Sequence, residues 1–218
     1  MTKYSIGGQQ LWLSPHRCIY WETEAAIIVS DLHFGKTGHF RKSGIAVPQT
    51  VYKEDLQRLV SLIQYFNPRQ LIIAGDLFHS HINQELELFK KWRHDLSSVE
   101  LHLVKGNHDI LLDKWYEEAN IIVHQKTFQL GSFLFCHDQA DCHSHTLHDS
   151  LYSFTGHIHP GISIHGAGRQ SLRFPCFYFT KSYCVLPAFS RFTGTYRIDP
   201  KEEENVFAIV NEQIVKMN

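Results

Sequence analysis

Leu101-His102-Leu103-Val104-Lys105-Gly106-Asn107-His108-Asp109 is the stretch on which the reading of the chain turns. Residues 101–104 read as a buried strand, and Gly106-Asn107-His108-Asp109 as the loop the strand runs into. Glycine lets the backbone turn sharply and approach a ligand closely. Asn107 offers a neutral oxygen donor, and His108 a nitrogen that holds or gives a proton near neutral pH. Alone, such a tetrapeptide is a weak signal. Four other apolar runs end in the same kind of chemistry. Residues 25–29 lead into Ser30-Asp31-Leu32-His33, and 71–74 into Gly75-Asp76-Leu77-Phe78-His79. Residues 133–136 lead into His137-Asp138, and 151–155 into Gly156-His157-Ile158-His159.

Ligands of open α/β sheets bind beyond the carboxyl ends of strands, so strand ends far apart in sequence can converge. The donors at these ends are the carboxylates of Asp31 and Asp76, the amide of Asn107, and the imidazoles of His33, His137, His157 and His159, with His108 beside them. Asp31 and His33 flank Leu32, and His157 and His159 flank Ile158; on extended backbone each pair points to one side. Nitrogen and oxygen donors without thiolate suit Mn, Fe or Zn better than a structural cysteine-type zinc site. Seven donors exceed the needs of one tetrahedral ion. They suit two ions about 3.5–4 Å apart that share a carboxylate and clamp a phosphoryl group.

Around these ends the chain alternates helix and strand early and is mostly strand late. Residues 51–66 have the apolar spacing of an amphipathic helix, stopped by Asn67-Pro68. Asn83 is placed to cap a helix through Leu96, and 111–119 reads as a short helix. Residues 11–21 read as two short strands about Ser14-Pro15, and 127–136 as a hairpin about Gly131. Residues 173–180, 183–186 and 206–210 alternate as antiparallel strands do. The pattern predicts an α/β fold, a four-layer α/β/β/α sandwich of two mixed sheets flanked by helices, as one domain over 1–218.

A length of 218 residues favours one well-buried domain over two small ones. The net charge of −1 gives no general attraction for nucleic acid or anionic lipid, although a local basic groove can hide in a balanced total. No apolar run is long enough to span a bilayer, and the first residues lack the apolar core of a signal peptide. The five cysteines (Cys18, Cys136, Cys142, Cys176, Cys184) are odd in number and form no C-x-x-C, so they read as reduced thiols of a cytoplasmic protein. His143, His145 and His148 are dense but lack flanking partner residues and read as a surface loop.

The ordered set Asp31-Leu32-His33, Gly75-Asp76, Gly106-Asn107-His108-Asp109, His137 and Gly156-His157-Ile158-His159 resembles the calcineurin-like metallophosphoesterase superfamily. The resemblance implies two divalent metal ions, manganese first, with Fe, Zn or Mg as alternatives. Position by position it implies that Asp31, His33 and His159 hold one ion and Asn107, His137 and His157 the other, with Asp76 bridging. It implies a metal-bridging hydroxide as nucleophile and His108 as proton donor to the leaving oxygen. Asp31-Leu32-His33-Phe34-Gly35-Lys36, Phe40-Arg41, Gly44-Ile45-Ala46-Val47-Pro48, Leu186-Pro187-Ala188-Phe189 and Phe192-Thr193-Gly194 look like the narrower ligase-associated phosphoesterases. That implies a DNA endonuclease of repair, with DNA as substrate and a helicase and a DNA ligase as associates. Ser190-Arg191 departs from the glycine-led pair of that family. His79 stands where the superfamily's protein phosphatases carry aspartate, which tilts the reading toward a phosphodiesterase and makes His79 a candidate catalytic residue that assists His108 or contacts substrate, the alternative being a hydrogen bond that holds its own loop.

Lys36 and Arg41 are the candidate substrate-binding cations, and Phe40 a ring that can stack on a base. The competing enzyme reading is hydrolysis of a small phosphodiester or nucleotide pyrophosphate, which near-neutral charge also fits. A non-catalytic scaffold would be expected to lack His108 or several ligands, and all are present.

Overall fold

Ala26-Ile27-Ile28-Val29 is apolar at every position because both faces of this strand are covered. Ile27 and Val29 face one core cluster, Ala26 and Ile28 the other. The structure is a computed structural model that describes residues 1–35, 50–79, 84–143, 151–166 and 170–217. Its first sheet runs in chain order through β1 (Thr2–Ile6), β2 (Gln9–Ser14), β3 (Cys18–Trp21), β4 (Ala26–Val29), β5 (Gln70–Ala74), β6 (Glu100–Val104) and β7 (Ile121–His124). β1 to β4 form an antiparallel meander, and β4 to β7 pair in parallel. Parallel neighbours need crossovers, and these contain α1 (Thr50–Phe66), α2 (Gln84–Asp95) and α3 (Asp113–Glu118). Leu59, Leu62, Phe89 and Trp115 from the helices share one core with Ile27, Val29, Leu71, Ile73, Leu101 and Leu103 from the sheet.

The opposite face of that sheet packs on the second one. This comprises β8 (Thr127–Leu130), β9 (Phe133–Cys136), β10 (Tyr152–Thr155), β11 (Pro160–His165), β12 (Ser171–Phe179), β13 (Tyr183–Val185), β14 (Tyr196–Arg197), β15 (Asn205–Val210) and β16 (Gln213–Lys216). The spatial order is β14-β11-β12-β13-β10-β9-β8, with β15 on β12 and β16 on β15. β9, β10 and β13 pair in parallel inside this otherwise largely antiparallel sheet. Phe133, Phe135, Phe154, Phe177 and Phe179 interleave with Ile28, Ile72, Ala74 and Val104 between the sheets. Among the described residues the outer layer on the second sheet is the short helix α4 (Gln139–His143), over Leu134 and Cys136. The architecture is the expected α/β/β/α sandwich.

α1 ends where Asn67 turns left-handed at φ 46°, its N–H bonded to the Ile63 carbonyl. Asn83 and the candidate substrate residues Lys36, Phe40 and Arg41 lie outside the described residues, as do His145 and His148. Two expectations are corrected. Cys136 and Cys142 are joined in a disulfide, so only Cys18, Cys176 and Cys184 are thiols. β1, β11 and β16 extend the sheets beyond the strands expected. Among the described residues no helix is long and apolar enough to cross a membrane.

Candidate metal centre

β4, β5, β6, β9 and β10 all end at one edge of the sandwich, and their loops are stitched to one another. Asp31 N–H bonds the Gly75 carbonyl at 3.0 Å, His33 N–H the Asp76 carbonyl at 2.9 Å, and Gly156 N–H the His137 carbonyl at 3.1 Å. The pairs Asp31/His33 and His157/His159 share a side, but not on extended backbone as expected. Asp31, His33, Asp76, His157 and His159 have φ of 53°, 50°, 53°, 70° and 50°. Left-handed conformation costs a residue with a side chain about 1 kcal/mol or more. Five such residues on one cluster are held there by the stitching, and the strain turns their side chains inward.

All seven expected donors meet. The Nε2 atoms of His33 and His159 lie 3.4 Å apart, and His159 Nε2 lies 3.3 Å from Asp31 Oδ1. His137 Nε2 lies 3.1 Å from Asn107 Oδ1, 3.1 Å from His157 Nδ1 and 3.4 Å from Asp76 Oδ2. Asp76 Oδ2 is also 4.0 Å from His33 Nε2, so it sits between the two sets. The groups Asp31/His33/His159 and Asp31/Asp76/His137 each bring their donor atoms within 4.8 Å of one another. Donors bound about 2.0–2.2 Å from one cation at right-angled to tetrahedral spacing lie about 2.8–3.6 Å apart. The closest spacings here fall in that window, and ring nitrogens facing one another at 3.1 and 3.4 Å fit a cation between them. The donor set therefore fits two divalent ions.

Neighbouring groups fix the donors. His137 Nδ1–H donates to the Ala74 carbonyl at 3.1 Å, which leaves Nε2 as the inward donor. His157 N–H reaches the Asp31 carboxylate at 3.2 Å. A Cβ on Gly75 would lie 2.1 Å from His137 Nδ1, and one on Gly156 2.6 Å from Asp31 Oδ2. These motif glycines are demanded by space.

Electrostatics follow from burial and pairing. Burial alone would raise the Asp76 carboxyl. The hydrogen bond and charge of His137, the His108 amide and His33 overrule it and hold Asp76 at about 2. Burial alone would lower His137, but its hydrogen bond to Asp76 and the charges of Asp31 and Asp76 lift it to about 9. Burial, with the Asp76 charge adding to it, pushes Asp109 up to about 7 despite the N–H bonds it accepts from Gly106 and Phe78.

His108 stands at the mouth with its side chain 39% exposed, Nε2 4.0 Å from Asp76 Oδ2. Its amide donates to Asp76 Oδ1 at 2.9 Å. The His79 ring lies against it, with centroids 4.0 Å apart. Two acids that the sequence reading left without a role also belong here. Asp109 ties the Asn107-His108 loop to Phe78, and Asp138 Oδ2 lies 3.9 Å from His157 Nε2. Asp109 is marked in sequence as the last residue of the Gly106-Asn107-His108-Asp109 motif, and Asp138 only by its place directly after His137.

The calcineurin-like phosphoesterase family matches residues 26–174 of the chain. Among solved structures, the crystal structure of Pseudomonas putida nuclease MPE is similar to this chain with a TM-score of 0.82 at 27% identity, over 99% of each chain. No curated protein matches.

Proposed function

The chain belongs to the calcineurin-like phosphoesterase family, and from that premise we propose that it is a dinuclear-metal phosphodiesterase that cuts DNA internally in repair. The observation that carries the reading is the meeting of the seven donors in two sets about Asp76 Oδ2. Asp31, His33 and His159 hold one cation, Asn107, His137 and His157 the other, and Asp76 faces both. When bound, two divalent cations, manganese first among Mn, Fe, Zn and Mg, neutralise phosphoryl charge and acidify water. The remaining chemistry belongs to the chain. His108 is exposed enough to meet a leaving oxygen, and its backbone is pinned by Asp76 and by the Asp109 loop. An imidazole fixed there donates the proton that the departing alkoxide needs. His79, ring against ring with His108, restrains its orientation.

Three observations support a nucleic-acid phosphodiester as substrate. The likeness to a nuclease is full-length. His79 stands where the protein phosphatases place aspartate. The His108 and His157 side chains at the centre are 39% and 42% exposed, so a phosphodiester can reach them.

The test is cleavage of circular single-stranded DNA by manganese-loaded protein, with His108→Ala and a small aryl phosphodiester run alongside. A circle has no ends, so linear products that vanish in the variant support an internal cut made at this site. His108→Ala is expected to slow cleavage by about a hundredfold to ten-thousandfold. Intact circles with a hydrolysed aryl diester would retain the phosphoesterase and overturn DNA as its substrate.

A further inference from the structure

The segment Arg191-Phe192-Thr193-Gly194-Thr195-Tyr196-Arg197 arches between the backbones of two of the proposed metal ligands. At one end Ser190 N–H bonds the Asp31 carbonyl at 3.1 Å; at the other Tyr196 N–H bonds the His159 carbonyl at 2.8 Å. Between them the loop is braced. Phe192 N–H donates to Ser190 Oγ at 3.2 Å and Thr193 Oγ1 to the Ser190 carbonyl at 3.1 Å. An Arg17 guanidinium N–H donates to the Ser190 carbonyl at 2.6 Å, and Arg173 reaches the Thr195 carbonyl at 3.1 Å. Tyr196 and Arg197 pair in parallel with Pro160 and Gly161 of β11. The backbone is therefore held at both ends of the segment.

The side chains of the same segment are turned outward. Phe192 is 40% exposed and Tyr196 68%. Arg191 and Arg197 are also exposed, each beside an exposed carboxylate, Glu212 at 3.5 Å and Asp199 at 2.9 Å. Exposed pairs of this kind contribute little stability, so either arginine can exchange its partner for a phosphate at small cost. The Tyr196 ring is mostly in water, and Phe192 keeps part of its ring exposed beside it in sequence. Two rings flanked on either side by a guanidinium group offer stacking faces to the bases and cations to the phosphates of a single nucleic-acid strand.

We infer that residues 191–197 are a strand-holding platform. Phe192 and Tyr196 stack on unpaired bases flanking the phosphodiester at the metal centre, and Arg191 and Arg197 take neighbouring phosphates. The inference rests on the nucleic-acid reading above and deepens it: the substrate is single-stranded, because a duplex hides the base faces the rings require. Bracing keeps the entropy cost of binding low, and the two backbone anchors keep the platform in register with the metal ligands.

The test compares kcat/KM for oligothymidylate cleavage with kcat/KM for aryl phosphodiester hydrolysis in manganese-loaded full-length protein. Phe192→Ala/Tyr196→Ala is expected to lower the ratio of the two by about tenfold to a hundredfold, mainly through KM for the oligonucleotide. Tyr196→Ala alone, at a site too exposed to carry folding, keeps the test readable if the double variant folds poorly. Leu172→Ala, on an exposed apolar residue of β12 outside the loop, leaves the ratio unchanged. If wild type cleaves the strand and the ratio in Tyr196→Ala and the double variant stays within about threefold, the platform alone falls. A wild type that prefers duplex, with equal loss on both forms in the variants, also overturns it. If wild type hydrolyses the aryl diester but no DNA, the platform and the nucleic-acid reading fall together.

Discussion

Gly106→Ala is the substitution whose outcome the geometry fixes most tightly. A Cβ at this position would lie 2.2 Å from Asp76 Oδ1, 2.6 Å from the Asp76 backbone nitrogen and 2.9 Å from Asp76 Cγ. A rotation of the Asp76 side chain relieves the first and third contacts but not the second, so the Asp76 turn itself must retreat. Reaching ordinary contact moves the carboxylate by about an ångström. That movement breaks the 2.9 Å bond from His108 N–H to Asp76 Oδ1. It also withdraws the oxygen that lies between the two donor sets. Overpacking of this kind costs about 1–3 kcal/mol of stability, a fall in Tm of roughly 2–12 °C at this chain length. A misplacement of about 1 Å in a catalytic group costs about a hundredfold in rate. The expected variant is folded, slower by at least that factor on an aryl phosphodiester, and binds fewer than two metal ions per chain after dialysis. The assay is elemental analysis beside kcat/KM and a thermal melt. Gly166→Ala is the control, because among the described residues its Cβ would meet nothing nearer than Gln170 Cβ at 3.8 Å. Two ions retained per chain, with activity within about threefold of wild type, would refute the claim that Asp76 is held by this close approach.

Three further outcomes follow from other parts of the structure. His137, lifted to about 9, carries a proton in the metal-free protein at neutral pH, so metal uptake should expel it. Calorimetry in buffers of different ionisation enthalpy should then show proton release, with affinity rising as pH rises toward 9, and a pH-independent affinity would contradict this. His102 and His124 face each other at 3.0 Å and stack on Phe128, and burial lowers both below their ordinary 6.5, Glu100 opposing this at His102 and His102 reinforcing it at His124. The unfolded chain takes up these protons first, so stability is full above about pH 6.5 and declines as pH falls below it; His124→Gln should flatten that decline in a series of melts. Alkylation of the denatured, unreduced protein should label three thiols, those of Cys18, Cys176 and Cys184, and five after reduction; five labelled without reductant would refute the Cys136–Cys142 bond.

What the sequence made legible was what is decided locally. Strands covered on both faces must be apolar throughout, so β4, β5, β6, β9 and β10 stand out as runs. Their ends stand out because donor residues follow the runs directly. β1 was not legible: Thr2–Ile6 alternates half-buried and exposed positions at a sheet edge, and its pairing with β2 supplies what its composition does not. The left-handed turns at Asp31, His33, His157 and His159 were not legible either. Nothing in Asp-Leu-His announces them; they are held by hydrogen bonds to loops far away in the chain. The Cys136–Cys142 bond escaped for a related reason. Its two sulfurs meet because α4 turns the chain back over the end of β9, and cysteine counting sees no such turn.

The distribution of the donors says how the centre comes to exist. Asp31, His33, Asp76 and Asn107 follow strands of the first sheet, and His137, His157 and His159 follow strands of the second. Neither sheet alone carries either donor set complete. The set is assembled by docking the sheets, through the aromatic layer of Phe133, Phe135, Phe154, Phe177 and Phe179. Burial of that layer is a large apolar term that needs no metal. This is the reverse of a small zinc domain, where metal binding supplies the folding free energy. Here the packed sheets and the hydrogen bonds between their loops hold five ligand backbones in a strained conformation. In the absence of metal, a proton on His137 facing the Asp76 carboxylate takes over part of the charge balance a cation would provide. The residues that would hold a metal are thus positioned by the fold itself, which is the condition for a preorganised catalyst.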